Sequence, residues 1–367
     1  MSHDRIVLPL VLLLANVQSS YGELYAETVT AADTLHGDID SNALKWSFAT
    51  EAPNNARALV DNDLVYFGSG DKHFYAIDRE TGRKAWEFQT SGWIHAAPAY
   101  ESGTIYVLSD PGHIFALDSS TGNKIWSIRV DPLLEHDPVL SNGVLYLSNR
   151  VDSDGKLFAV DVRKRSKLWD YQLRGTVRGN VVVDAEKVYF CEGRGDEGYL
   201  HAVVDRSGAS LWTVKFNDAL AGSPQLADGV AFVVGYNGMV HAVDLQRQEV
   251  LWRQPTGGKI FCDMAINGGN VYVGNQYGHI VAIDASSGEK LWDRKIAEAG
   301  IYADLLVHHG TIYTGSLNGE LHAIDALTGE KRWRYDGGFS HQAAPIIEDG
   351  VLYVGSSLKF FALSLSR

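Results

Sequence analysis

The chain has 367 residues, 45% of them hydrophobic and 21% charged, a balance that excludes an intrinsically disordered protein. A formal charge of −13 opposes binding to a phosphate backbone, so nucleic acid is not expected as a partner. Only Cys191 and Cys262 are present, too few for a disulfide framework, while 37 glycines, 17 tyrosines and 9 tryptophans lean toward β structure with many tight turns.

Residues 1–22 carry one firm positive charge, Arg5, then the apolar run Ile6 to Val17, then Ser20 and Gly22 at −3 and −1 of a possible cut. This pattern predicts a secretory signal peptide. The run is broken by Pro9 and is too short to cross about 30 Å of hydrocarbon, and no later segment is apolar enough to span a membrane. Leu13-Leu14-Ala15 is followed by Asn16 where a lipoprotein signal needs cysteine, so no lipid anchor is expected. Residues 23–43 read as an N-terminal extension and 44–367 as one exported domain, periplasmic or secreted and soluble after cleavage.

Through that domain eight tryptophans recur, Trp46, Trp86, Trp126, Trp169, Trp212, Trp252, Trp292 and Trp333, at gaps of 40, 40, 43, 43, 40, 40 and 41 residues. A period near 40 is that of a four-stranded propeller blade. Ala76-Ile77-Asp78, Thr81-Gly82 and Trp86 return as Ala116-Leu117-Asp118, Thr121-Gly122 and Trp126, then as Ala282, Asp284, Gly288 and Trp292 and as Ala323, Asp325, Thr328, Gly329 and Trp333, each Trp lying ten residues after its Ala. The copies before Trp169 and Trp252 lose Thr-Gly, and the one before Trp212 moves its acid to Asp205; such decay suits a structural repeat. Before each Ala the chain alternates with period 2, as in Thr104 to Val107 and His113 to Ala116, around turns such as Gly70-Asp71, Asn237-Gly238, Tyr277-Gly278 and Asn318-Gly319, where a positive φ is expected.

The ends complete each other. Ala362 calls for a Trp ten residues on, but the sequence stops at Arg367, whereas Trp46 lacks an Ala-x-Asp before it. The reading is an all-β, eight-bladed propeller of four-stranded antiparallel blades, its ring closed by the N-terminal strand Leu44 to Phe48 completing the last blade. In this ring each indole stacks between blades and its N–H finds a backbone acceptor. Cys191 and Cys262 fall in non-neighbouring blades and read as buried or semi-buried thiols.

These residues resemble the tryptophan-docking motif of the quinoprotein-type propellers, which include the pyrroloquinoline-quinone (PQQ) dehydrogenases. Over Leu44 to Leu363 the organisation is most similar to the non-catalytic BamB-type propellers of outer-membrane protein assembly. The resemblance implies a periplasmic binding scaffold without a cofactor, holding a protein partner or client peptide, within an envelope assembly complex. The missing lipid-acceptor cysteine departs from that family and puts membrane tethering in doubt. A PQQ dehydrogenase would add long insertions, a calcium site and an adjacent cysteine pair, none of which is evident, and a tryptophan under the quinone, for which only Trp93 remains. A small PQQ- and calcium-dependent dehydrogenase stands as the alternative, and a polysaccharide-binding propeller as a weaker one.

Other motifs read as structure. Asp152-Ser153-Asp154-Gly155 lacks the remaining ligands of a calcium loop and reads as a hairpin turn. Gly193-Arg194-Gly195-Asp196-Glu197-Gly198 matches a dinucleotide fingerprint but precedes a strand, Tyr199 to Val204, where a helix N-terminus is required. The loops that return the chain to the central funnel carry more information. They place Asn55, His95, His136, Asp137, Arg178, Asp263, Asp304, His341 and Gln342 near the inner-strand starts, as a polar channel mouth without the local spacing of a metal site. The same loops bring Trp93, Ile94, Leu133, Leu134, Phe261, Ile301, Tyr302 and Phe339, an apolar rim suited to gripping a partner or an extended peptide.

Overall fold

The structure, a computed structural model, describes residues 36–37, 43–54, 56–130, 134, 136–149, 155–337 and 344–365. The expected signal peptide, Asn55, Leu133, Asp152 to Asp154, Phe339, His341 and Gln342 lie outside the described residues. Among the described residues every named element is a β-strand, in eight antiparallel sheets. Blades 1 to 7 occupy residues 59–89, 99–129, 139–172, 176–216, 225–255, 265–295 and 306–336. Blade 8 takes three strands from residues 346–364 and its outer strand from Leu44–Ala49.

Period-2 alternation becomes a gradient of burial across each blade. In blade 2 the middle strands Thr104–Ser109 and His113–Asp118 are mostly buried, whereas the outer strand Lys124–Arg129 alternates between exposed and half-buried positions. Turns between the first two strands are tight: Ser102-Gly103, Asn142-Gly143 and Asp228-Gly229 each hold φ positive at both residues, which suits the twist of a hairpin. Gly238, Gly278 and Gly319 hold the positive φ expected of them, but in the first hairpin that conformation belongs to Lys72 rather than Gly70.

The ten-residue spacing between Ala and Trp has a register explanation. Each docking alanine faces its own tryptophan across the outer strand pair, from Ala76↔Trp86 to Ala323↔Trp333, and Ala362↔Trp46 closes the ring. The indole then reaches the next blade. Nε1–H donates to a backbone carbonyl there from Trp46 (Arg79, 2.8 Å), Trp86 (Ser119, 3.1 Å), Trp169 (Asp205, 2.8 Å), Trp252 (Ala285, 3.0 Å) and Trp292 (Ala326, 3.2 Å).

The Thr-Gly of the motif is now explained. In blade 2 the Asp118 carboxylate accepts the Thr121 N–H and hydroxyl and folds a tight turn, with its pKa lowered by the Ser120 and Thr121 hydrogen bonds. Gly122 ends that turn at φ +73°, against the Trp86 indole, where a Cβ would lie 2.5 Å from the ring. Gly82, Gly208, Gly288 and Gly329 meet Trp46, Trp169, Trp252 and Trp292 in the same way. In blades 3 and 5 the left-handed residue is Arg165 or Gln248 instead, and neither Trp126 nor Trp212, the indoles facing those turns, has an Nε1–H bond to the next blade among the described residues.

Two features lie outside the expectation. His36–Gly37 adds a fifth strand to blade 7, pairing with Asp336 and Tyr335. Blade 4 is longer than its neighbours, with strands Thr176–Asp184, Lys187–Arg194, Glu197–Val204 and Ser210–Phe216 and a bulge between Arg178 and Val182. Cys191 and Cys262 are buried free thiols, as expected, and burial raises the pKa of both.

Candidate functional site

The loops that cross from one blade to the next lie against the hairpins joining each second and third strand. Gly70 N–H donates to Pro53 O, Asp110 to Trp93, Tyr236 to Ala219, Gln276 to Lys259 and Leu317 to Gly300. At these five places loops and hairpins therefore share one face of the ring.

Seven of the eight blades have at the position two residues before the first strand Arg57, Ala97, Asp137, Ser223, Asp263, Asp304 or Ala344, and in blade 4 the matching residue is Asn180, inside the strand Thr176–Asp184 at its bulge. They are linked by a one-way relay, each backbone N–H donating to the side chain of the next blade. Ala97 gives to Asp137 Oδ1 (2.6 Å), Asp137 to Asn180 Oδ1 (2.9 Å), Asn180 to Ser223 Oγ (2.7 Å), Ser223 to Asp263 Oδ1 (2.7 Å) and Asp263 to Asp304 Oδ1 (2.8 Å). The relay spans blades 2 to 7 and stops at Ala97 and Ala344, which have no acceptor. Asp137, Asp263 and Asp304, expected near the inner-strand starts, are brought together here; Asn180 and Ser223 were not anticipated.

One guanidinium faces the three carboxylates: Arg57 lies 3.7 Å from the Asp137 carboxylate, contributed by a blade two positions away. Burial and the nearby Asp263 charge push the Asp304 pKa up to about 7, against the opposing pull of Arg57. Among the described residues no three His, Cys, Asp or Glu side chains are grouped closely enough to hold a metal ion.

Two residues earlier in the chain stand His95, Arg178, Phe261 and Tyr302, Arg178 within the first strand of blade 4 and the others on crossing loops. On blades 6 and 7 Phe261 stacks on Tyr302 (4.7 Å, 12°), and Tyr236 from the blade 5 hairpin meets Phe261 edge-on at 5.1 Å. The Lys259 ammonium sits 4.9 Å over the Tyr236 ring. Tyr277 and Leu317 are also exposed, on the hairpins of blades 6 and 7. Trp93, 55% exposed, stands on the blade 2 side, edge-on to His95 at 5.4 Å. His136 is turned toward blade 4, its Nε2 3.2 Å from Val177 O. His95 and His136 therefore occupy separate contacts.

The expected apolar rim divides. Ile94, Leu134 and Ile301 are buried, Ile94 filling the space above Gly68 and Leu134 packing into the core of blades 2 and 3. Alternation explains this correction: within a crossing loop every second side chain turns inward, so Trp93 and His95 face out while Ile94 and Ala96 do not.

A cleft of about 230 Å³ opens between blades 3 and 4, beside the long hairpin. Its floor is a buried Glu192–His201 pair at 2.8 Å, its walls Tyr171 and Tyr199, and its mouth Arg174 and Arg194. Burial would raise the Glu192 pKa, but hydrogen bonds from His201 and from the Arg174 and Gly175 amides outweigh it and lower the pKa. Neither guanidinium makes an ion pair among the described residues. The 43-residue spacing around blade 4 was the one trace of this cleft in the sequence.

A closed ring of eight antiparallel blades, in which five tryptophans donate to the next blade among the described residues, is a quinoprotein-type β-propeller. The family described as outer membrane protein assembly factor BamB matches residues 15–97, 88–196, 196–295 and 238–366, and the chain belongs to that family. Outer membrane protein assembly factor BamB of Yersinia pestis is 31% identical over 72 residues, 20% of this chain and 18% of that protein. The 1-butanol dehydrogenase (cytochrome c) of Thauera butanivorans is 34% identical over 83 residues, 20% of this chain and 12% of the enzyme. The matched segments thus span less than a fifth of either relative. The crystal structure of BamB from Moraxella catarrhalis shares the fold, with a TM-score of 0.72 at 17% identity, covering 91% of this chain and 98% of that one.

Proposed function

We propose that this chain is a non-catalytic scaffold of the periplasm that holds a protein partner or an extended client segment against the loop face of the propeller, in a role within outer-membrane protein assembly. The observation that carries this reading is the platform of Tyr236, Phe261 and Tyr302. It joins an exposed Tyr236 to the half-buried Phe261 and Tyr302 on loops of three successive blades, while most apolar side chains of the described residues are buried. Trp93 offers a second aromatic anchor across the mouth. The blade 3–4 cleft, with Arg174 and Arg194 at its lip, offers a charged one.

The reading is tested by in-cell crosslinking from a photoreactive amino acid replacing Trp93, Tyr302 or Arg194, with Leu251 on an exposed outer strand as control. Discrete adducts at the loop-face positions and none at Leu251 are expected. Adducts no stronger than the control would end the proposal. Dye-linked alcohol oxidation by purified protein incubated with PQQ and calcium would overturn its non-catalytic half.

A further inference from the structure

The aromatic platform and the carboxylates of the channel occupy the same two blades. Along each crossing loop Phe261 and Asp263, and likewise Tyr302 and Asp304, are separated by one buried residue, Cys262 or Ala303. Alternation therefore puts both aromatic rings and both carboxylates on the channel side, rings above and carboxylates below. We infer that this part of the mouth receives a cationic side chain, arginine or lysine, from a basic segment of a protein partner, stacked on Phe261 and Tyr302 with Asp263 and Asp304 beneath it. The inference rests on the partner-binding reading above and specifies the chemistry of the partner.

Three observations favour a cation over a neutral apolar group. The platform already carries one, since the Lys259 ammonium lies over the Tyr236 ring. Among the described residues, the positions beneath set three carboxylates against Arg57, within a chain of net charge −13. Finally, Asp263 is satisfied by the Ser223 N–H (2.7 Å) and hydroxyl (2.5 Å), but Asp304 accepts only the Asp263 N–H on one oxygen among the described residues. An apolar plug would desolvate that second oxygen without compensation, a cost that a guanidinium or ammonium removes. Contact with a ring face adds to this attraction, more as water is excluded.

Fluorescence anisotropy with a labelled, end-capped Gly-Arg repeat peptide tests this, against the same peptide carrying citrulline, which keeps the shape and loses the charge. The arginine peptide is expected to bind at least about tenfold more tightly, with an affinity that falls as salt rises. Tyr302→Ala and Asp304→Asn should each weaken the arginine peptide several-fold and leave the citrulline peptide unchanged, with thermal melts confirming that both variants fold. If the two peptides bind equally and both need Tyr302, the cation inference fails and the partner-binding reading stands. If neither binds and Tyr302 yields no crosslink in cells, both fail.

Discussion

Asp304 shows how one residue can hold structure and charge in tension. Its carboxyl terminates the relay, yet burial and the Asp263 charge raise its pKa to about 7 from an ordinary value of 3.8. Between those values the unfolded chain gives up its proton while the folded chain keeps it, so folding loses stability as pH rises, fully so above about 7. Asp304→Asn retains the oxygen that accepts the Asp263 N–H, as Asn180 does for Asp137. The variant should therefore melt higher than wild type near pH 8, by at least about 1 kcal/mol, with the gain vanishing near pH 4. Equal melting curves at both pH values would show that Asp304 carries no such strain. Residues of this kind are only partly legible in a sequence. Asp137, Asp263 and Asp304 stand out as acids at loop ends, but a relay accepts any short side chain with an oxygen, so Asn180 and Ser223 repeat a role without repeating a residue type.

At the scale of the blade, legibility was much better, because docking constrains several residues at once. The indole needs a small partner across the strand, a carbonyl on the next blade and a glycine beneath it, so Ala, Asp, Gly and Trp recur together. Where the glycine is missing, the interface pays in strain. Arg165 and Gln248 sit at φ +57° and +62°, and the indoles over them lack the hydrogen bond made at five other interfaces. Arg165→Gly and Gln248→Gly are each expected to stabilise the fold by about 1 kcal/mol, measured as a raised denaturant midpoint, whereas most glycine substitutions destabilise. Blade 4 was the element least readable in advance. Its cleft draws Glu192, His201 and Arg194 from two long strands and Arg174 from the preceding loop, an assembly that no local spacing announces.

At the scale of the whole ring, closure depends on a strand far from its blade in sequence. Leu44–Ala49 brings Trp46 to Arg79 O, and the seam it seals is aromatic, with Phe360 stacked on Phe67 at 4.1 Å and Arg79 Nε donating to Tyr353 Oη at 3.0 Å. Aromatic pairs of this kind contribute about 0.5–1.5 kcal/mol each beyond buried area. Deleting residues 1–49 should leave blade 8 with an open edge, lower the thermal midpoint markedly and promote association through the exposed strand Lys359–Ser364, as seen by light scattering. A monodisperse truncation that melts like the full chain would show that the remaining blades close without it.

The channel relay has a direction, and therefore a head and a tail. Hydrogen bonds aligned in one sense polarise each other, so the chain from Ala97 to Asp304 behaves as an open circuit of dipoles rather than a closed loop. A fully circular relay would have no terminus at which charge could be held differently from anywhere else. Because Ala344 interrupts this one, the circuit ends on the Asp304 carboxyl, which accepts an amide of the relay while its own amide meets no side-chain acceptor on the next blade.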